Sequence, residues 1–237
     1  MKMDSRNKLL LIIIAISIAT IVLWQTDIGR LILYPFTVLG TWFHEMGHGL
    51  MALFLGGGFE KLDIYSNGSG VATWNGPLFL GNIGKAIVAG AGPMGPTIAG
   101  VICIVASAKD KWTKYALYIL TTVLIISAIY WVRSLFGVPV VLGFGILTGL
   151  IAFKGNRKLQ RFTLIFLGIQ ACLSVYLSID YLMMSYGTVG GESMQSDTAV
   201  MEQYLFLPNY IWGGLIIFIS ILAIWKSLSY ALKNANT

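Results

Sequence analysis

The stretch Thr41-Trp-Phe-His-Glu-Met-Gly-His-Gly-Leu50 carries both histidines of the chain, His44 and His48, with Glu45 directly after the first. On an α-helix, residues four apart lie one above the other on one face. Two imidazoles at that spacing can ligate one zinc ion. Glu45, about 100° round the helix, can reach a metal-bound water and take its proton. Zinc suits such work because it polarises a carbonyl and lowers the pKa of its water to about 7. The flanks, Leu31 to Leu39 and Leu50 to Leu55, are mostly apolar. An ionisable side chain inside a membrane helix costs on the order of 2.5–3.5 kcal/mol on insertion scales. A shared ligand therefore explains His44, Glu45 and His48 better than a hydrogen-bonded polar cluster between helices.

A catalytic zinc usually takes three protein ligands and a water. No further histidine exists, and Cys103 and Cys172 lie in apolar runs without a ligand motif. They read as small buried hydrophobes. The third ligand should then be a carboxylate. Asp180, within Tyr176-Leu-Ser-Ile-Asp-Tyr-Leu-Met-Met184, is an acid in an apolar run and the first candidate. Asp197, in a polar loop, is the alternative. Asp63, in a candidate hairpin, and Asp110, in a basic loop, stand behind both.

The elements that must position these groups are membrane helices. Of 237 residues, 57% are hydrophobic and only 11% charged, about half the charge of a soluble domain. The mean hydropathy of +0.78 agrees. The expected fold is an all-α polytopic membrane protein, a single domain over 1–237. It should have about six to seven transmembrane or re-entrant helices and a small β-hairpin after the metal-binding helix. The net charge of +6 comes from loop Lys and Arg. It points to anchoring in a lipid bilayer and not to nucleic acid, since no basic stretch is combined with aromatic stacking residues.

In order, Lys2, Arg6 and Lys8 precede an apolar run over 9–24. It lacks a small-x-small cleavage pattern and reads as a first transmembrane helix with a cytoplasmic N-terminus. Pro35 either opens or kinks the motif helix, which Gly56-Gly-Gly58 ends. Residues 59–74 read as a hairpin around Ser66-Asn-Gly-Ser-Gly70, able to hold an extended peptide by β-addition. Gly90-Ala-Gly-Pro-Met-Gly-Pro96 should break or bend the next helix, or pack it closely on a neighbour. A core over 28–108 is followed by further helices over 112–186, a polar loop over 187–207 and a last helix over 208–230. The segment 135–153 is either a full span or re-entrant. Re-entry places the basic loop Lys154 to Arg161 on the cytoplasmic side and satisfies the positive-inside tendency, except for Lys109 to Lys114.

Three elements together resemble the site-2 protease group of intramembrane metalloproteases, the M50 peptidases, and the compact M50B-like branch in particular. His44-Glu-Met-Gly-His48 matches the group's zinc motif. Gly56-Gly-Gly-Phe-Glu-Lys-Leu-Asp-Ile64 matches its glycine-led strand. Ala91-Gly-Pro-Met-Gly-Pro96 is similar to its A-G-P-x-x-N element. The resemblance implies His44 and His48 as zinc ligands and Glu45 as catalytic base. Pro96 stands where the group usually has Asn, so that polar contribution is missing. The group's later acid normally sits in an L-D-G or N-P-D-G element. Ile179-Asp-Tyr181 lacks the glycine, so Asp180 rests on its depth alone. Ser196-Asp-Thr-Ala199 and Leu207-Pro-Asn-Tyr-Ile-Trp212 resemble a C-terminal pattern of the M50B-like branch, which keeps Asp197 as the alternative.

The expected function is that of a zinc-dependent intramembrane endopeptidase acting on a membrane-anchored protein or peptide. Ile64 and Tyr65 of the hairpin and Gly92 and Pro93 of the glycine–proline segment are the candidate substrate contacts. A multi-pass location in the cell membrane follows. Two other classes are a non-proteolytic scaffold or partner-binding protein that keeps the fold, and a transporter using the segment Gly90 to Pro96. The absence of an internal repeat argues against the transporter.

Overall fold

A computed structural model describes residues 5–234. Lys2 of the basic N-terminal stretch and residues 235–237 of the polar tail lie outside the described residues. The elements run α1 (Ser5–Trp24), α2 (Asp27–Phe54), β1 (Gly58–Ile64), β2 (Gly70–Asn75), α3 (Asn82–Ala106), α4 (Asp110–Tyr130) and α5 (Gly137–Lys154). They continue with α6 (Arg157–Leu177), α7 (Ile179–Met183), β3 (Tyr186–Val189), β4 (Glu192–Gln195), α8 (Asp197–Leu205) and α9 (Asn209–Lys233). Helices α3, α4, α5, α6 and α9 are long and apolar enough to cross a membrane, and α1 with α2 forms a further pair bent by 116°. This is an all-α multi-pass membrane architecture with two small antiparallel hairpins.

Helix α2 is the axis of the site. Thr26 starts it: the hydroxyl accepts from the Gly29 N–H at 3.0 Å, and Asp27 places a carboxylate at the positive end of the helix. Pro35 lies inside the helix and does not open it. At the far end Gly56 takes φ +86°, a conformation natural only to glycine. The Gly57 N–H then closes on Ala52 O at 2.9 Å, completing the glycine stop. One face of α2, Val38, Leu39, Trp42, Phe43 and Met46, enters the main core with β1, α4, α5 and α6. The buried Trp42 Nε1–H donates to Ser127 Oγ on α4 at 3.0 Å. That packing leaves Thr41, His44, Glu45 and His48 on the other face.

Helix α3 runs without a break through Pro93 and Pro96. Of the two expectations for this segment, close packing holds and the break does not occur. Glycines explain it. A Cβ on Gly47 would lie 2.3 Å from Ala91 O, and one on Gly95 would lie 2.3 Å from Phe43 O. The α2 and α3 backbones are pressed together over these positions, as small residues allow between membrane helices. Gly100 and Gly168 do the same between α3 and α6.

The hairpin after α2 forms as expected, with β1 and β2 antiparallel and a bulge between Phe59 and Lys61. Its turn is tied to α2: the Tyr34 hydroxyl donates to Ser66 O and the Thr41 hydroxyl to Gly68 O, each at 2.6 Å. The outer edge of β1 is taken, because the Leu62 N–H donates to Trp131 O at 2.8 Å and the Arg133 N–H to Leu62 O at 3.0 Å. No described strand pairs with the outer edge of β2. Two expectations for the C-terminal half change. The helix expected to reach Tyr186 ends at Leu177, and the polar loop 187–207 holds the hairpin β3–β4 and helix α8.

Candidate metal centre

Helix α8 brings the third donor. Ser196 caps it, its Oγ accepting from the Ala199 N–H at 3.2 Å, and Asp197 occupies the first turn. Thr198 Oγ1 ties the same turn to Leu182 O at 2.9 Å. Asp197 Oδ2 then lies 2.9 Å from His44 Nε2, and Oδ1 lies 3.1 Å from His48 Nε2. The ligand atoms of His44, His48 and Asp197 all fall within 4.8 Å of one another. Among the described residues no other three His, Cys, Asp or Glu side chains converge in this way.

These donors fit a metal ion for a chemical reason. His48 Nδ1 is 2.8 Å from Val88 O on α3. A carbonyl can only accept, so Nδ1 carries the proton, and Nε2 is the atom left to ligate a metal or to carry a second proton. That atom faces a carboxylate oxygen. Asp197 Oδ2, enclosed from solvent, has no hydrogen-bond donor either. Three such ligand atoms meeting at these distances need positive charge among them, which a proton or a metal ion can supply. Burial alone would raise the Asp197 carboxyl, but the two imidazoles outweigh it and hold the group below the usual carboxylate range. The direction favours the carboxylate, the form that can ligate.

Gly92 makes the room. A Cβ there would sit 2.1 Å from His48 Nε2. Glu45 is 6% exposed and faces the backbone amide of Ala72 on β2. Two cavities, of about 220 and 340 Å³, open on the donors and share His44, Glu45, Gly70, Tyr181 and Val189 as walls. Tyr181 also approaches His44, ring centroids 6.3 Å apart. Burial pushes its phenol well above the usual range, and Asp197 and Glu45 add to the effect, so it remains a hydrogen-bond donor.

The histidines and Asp197 come together; Asp180 does not join them. It is exposed on the short α7 and outside the donor group. The apolar run around it suggests depth in one long helix, but α6 stops before it at Leu177. Asp63 pairs with Lys61 at 2.9 Å and Asp110 with Arg157 at 3.2 Å, both away from the centre. Ile64 is fully buried, its N–H donating to Ser134 Oγ at 2.9 Å. Tyr65 stacks under the tip of the second hairpin at Gly190. Gly92 and Pro93 are buried in α3, and none of these four lines the two cavities. The walls come instead from consecutive residues Gly70, Val71 and Ala72 of β2, from Trp74, and from Val189, Met194 and Gln195. Cys103 and Cys172 are buried free thiols, as their apolar context suggests.

The family model described as Peptidase M50B-like matches residues 13–227, nearly the whole chain and all of the donor group. No curated protein and no solved structure gives a match.

Proposed function

The chain belongs to the Peptidase M50B-like family, and from that premise we propose that it is a zinc-dependent intramembrane endopeptidase. One observation carries the reading: His44, His48 and Asp197 converge around a point beside the buried Glu45. A histidine–histidine–carboxylate set is a known catalytic zinc arrangement that leaves a position for water. When bound, zinc would polarise the scissile carbonyl and acidify the attacking water. Glu45 accepts that water's proton and passes it to the leaving amine. The Tyr181 phenol, at the junction of the two cavities, can donate to the oxygen on which charge develops.

The substrate is a membrane-anchored protein or peptide. Its carbonyls are shielded while it stays helical, so a segment must unwind and lie extended. The outer edge of β2, which no described strand pairs and where the Ala72 amide meets Glu45, suits that segment. Successive side chains of a strand point to opposite faces, so a cavity walled by Gly70, Val71 and Ala72 in sequence meets the strand edge-on. There the backbone can pair with an added strand.

The test is cleavage of a membrane-anchored peptide with a helix-breaking segment in proteoliposomes. Zinc-loaded wild type should cut it. Glu45→Gln, with the same zinc content, should be slower by about 10²–10⁴-fold, the usual worth of a general base. Equal behaviour of the two proteins would remove the peptidase reading and favour a scaffold that keeps the fold.

A further inference from the structure

We propose that the hairpin β3–β4 is the second wall of the substrate groove, so that an extended peptide lies between it and β2 across the metal centre. The proposal rests on the peptidase reading and adds a binding element to it. Nothing in the hydrophobic pattern of residues 187–207 marks them as more than a polar loop.

The two cavities share five walls, among them His44 and Glu45, and so adjoin at the metal centre, where the proposed groove joins them as two lobes. The hairpin roofs both lobes. Val189 lines each of them, Thr188 lines the larger, and Met194 and Gln195 line the smaller. The hairpin does not owe its place to core burial. Every residue of β4 is exposed, and β3 and β4 pair only with each other. A lone hairpin of four residues a strand is marginal in water. It is held by its two ends. At the base the Ser196 N–H donates to Ser185 O at 3.0 Å. At the tip the Gly190 N–H donates to Ser69 Oγ at 3.0 Å, and Gly190 lies against the Tyr65 ring. Gly190 and Gly191, with φ of +60° and +94°, make the tight turn that lets the tip reach the other hairpin. The result is an arch from α7 to the β1–β2 turn, passing over Glu45 and the metal donors.

The arch also ends on a metal donor, because Gln195 closes β4 and Asp197 opens α8 with only Ser196 between them. A peptide threaded beneath it would pair its backbone with β2 and set alternate side chains against Val189 and Met194. Val189 and Tyr181 line both lobes and so border the place where they adjoin. With Val189 and Tyr181 both bordering that place, the groove would take small residues beside the scissile bond and bulkier apolar ones further out.

The experiment places a photoreactive benzoylphenylalanine at Val189, Met194 or Trp74 in zinc-loaded Glu45→Gln, with Phe54, which faces outward on α2 at 80% exposure, as background. The probe is the same membrane-anchored peptide used for cleavage. Adducts at Met194 and Val189 at least about tenfold over Phe54, alongside adducts at Trp74, are expected. In the Glu45-competent protein, Val189→Ala should raise the rate on a peptide with Phe beside the scissile bond relative to one with Ala. Adducts at Trp74 but only background at Val189 and Met194 would overturn the proposal. So would cleavage by wild type with no hairpin adduct. Hairpin adducts without any cleavage by zinc-loaded wild type would instead overturn the peptidase reading and leave the groove. Neither adducts nor cleavage would overturn both.

Discussion

Adding a single methyl at Gly92 should empty the metal centre. The Cβ of Gly92→Ala would lie 2.1 Å from Nε2 and 2.2 Å from Cε1 of His48, against an ordinary contact of 3.4 Å or more. The ring must retreat by about 1.3 Å, whereas metal–ligand distances tolerate only about ±0.2 Å. Retreat also strains the Nδ1–H bond to Val88 O, 2.8 Å long, which orients the ring. Disturbing such an outer partner alone typically costs 10–100-fold in metal affinity, so loss of the ligand itself should cost at least about 100-fold. The helix itself should not suffer, since alanine is favoured over glycine in a helix interior by roughly 1 kcal/mol. Gly143→Ala is the matched control, because nothing lies within 4 Å of its Cβ. The assay is zinc per chain by mass spectrometry after dialysis against a weak chelator. Wild type and Gly143→Ala should keep zinc while Gly92→Ala loses it. Wild-type zinc retention by Gly92→Ala would refute the close approach of α3 to His48.

Ser196→Ala removes the cap of α8, which should cost about 1 kcal/mol of stability and weaken zinc by about 10–100-fold through a loosened Asp197; chelator competition reads the second effect. Trp42→Phe removes the bond to Ser127 Oγ, which keeps its own bond to Leu124 O, and should destabilise by about 0.5–1.5 kcal/mol, seen as a lower Tm in detergent with zinc content unchanged. Arg157→Ala breaks an ion pair whose partners are both largely exposed and should leave Tm and zinc unchanged, since exposed pairs contribute little.

His44, Glu45 and His48 are legible in the sequence because their geometry is local: helix periodicity alone puts the imidazoles on one face. The hairpin after Gly56-Gly-Gly58 is legible for the same reason, through its turn residues. The third donor is not, because it depends on how the chain returns. Hydropathy runs on past Ser178 and hides the end of α6, so Asp180 looks deep when it is exposed. The local signal that points the other way is Ser196-Asp-Thr-Ala199, a serine cap followed by an acid in the first turn. Gly190-Gly191 between two four-residue segments is likewise a readable hairpin sign. The glycines between Gly90 and Gly95 announce the close packing of α3 on α2, but not that the helix runs on through Pro93 and Pro96.

The most direct test of the metal centre is zinc per chain in detergent-purified wild type, Asp197→Ala and Asp180→Ala. About one zinc in wild type and in Asp180→Ala, with loss in Asp197→Ala, is the predicted result, matching the three-ligand set. Retention in Asp197→Ala with loss in Asp180→Ala, or no zinc in wild type after reconstitution with the metal, would contradict it.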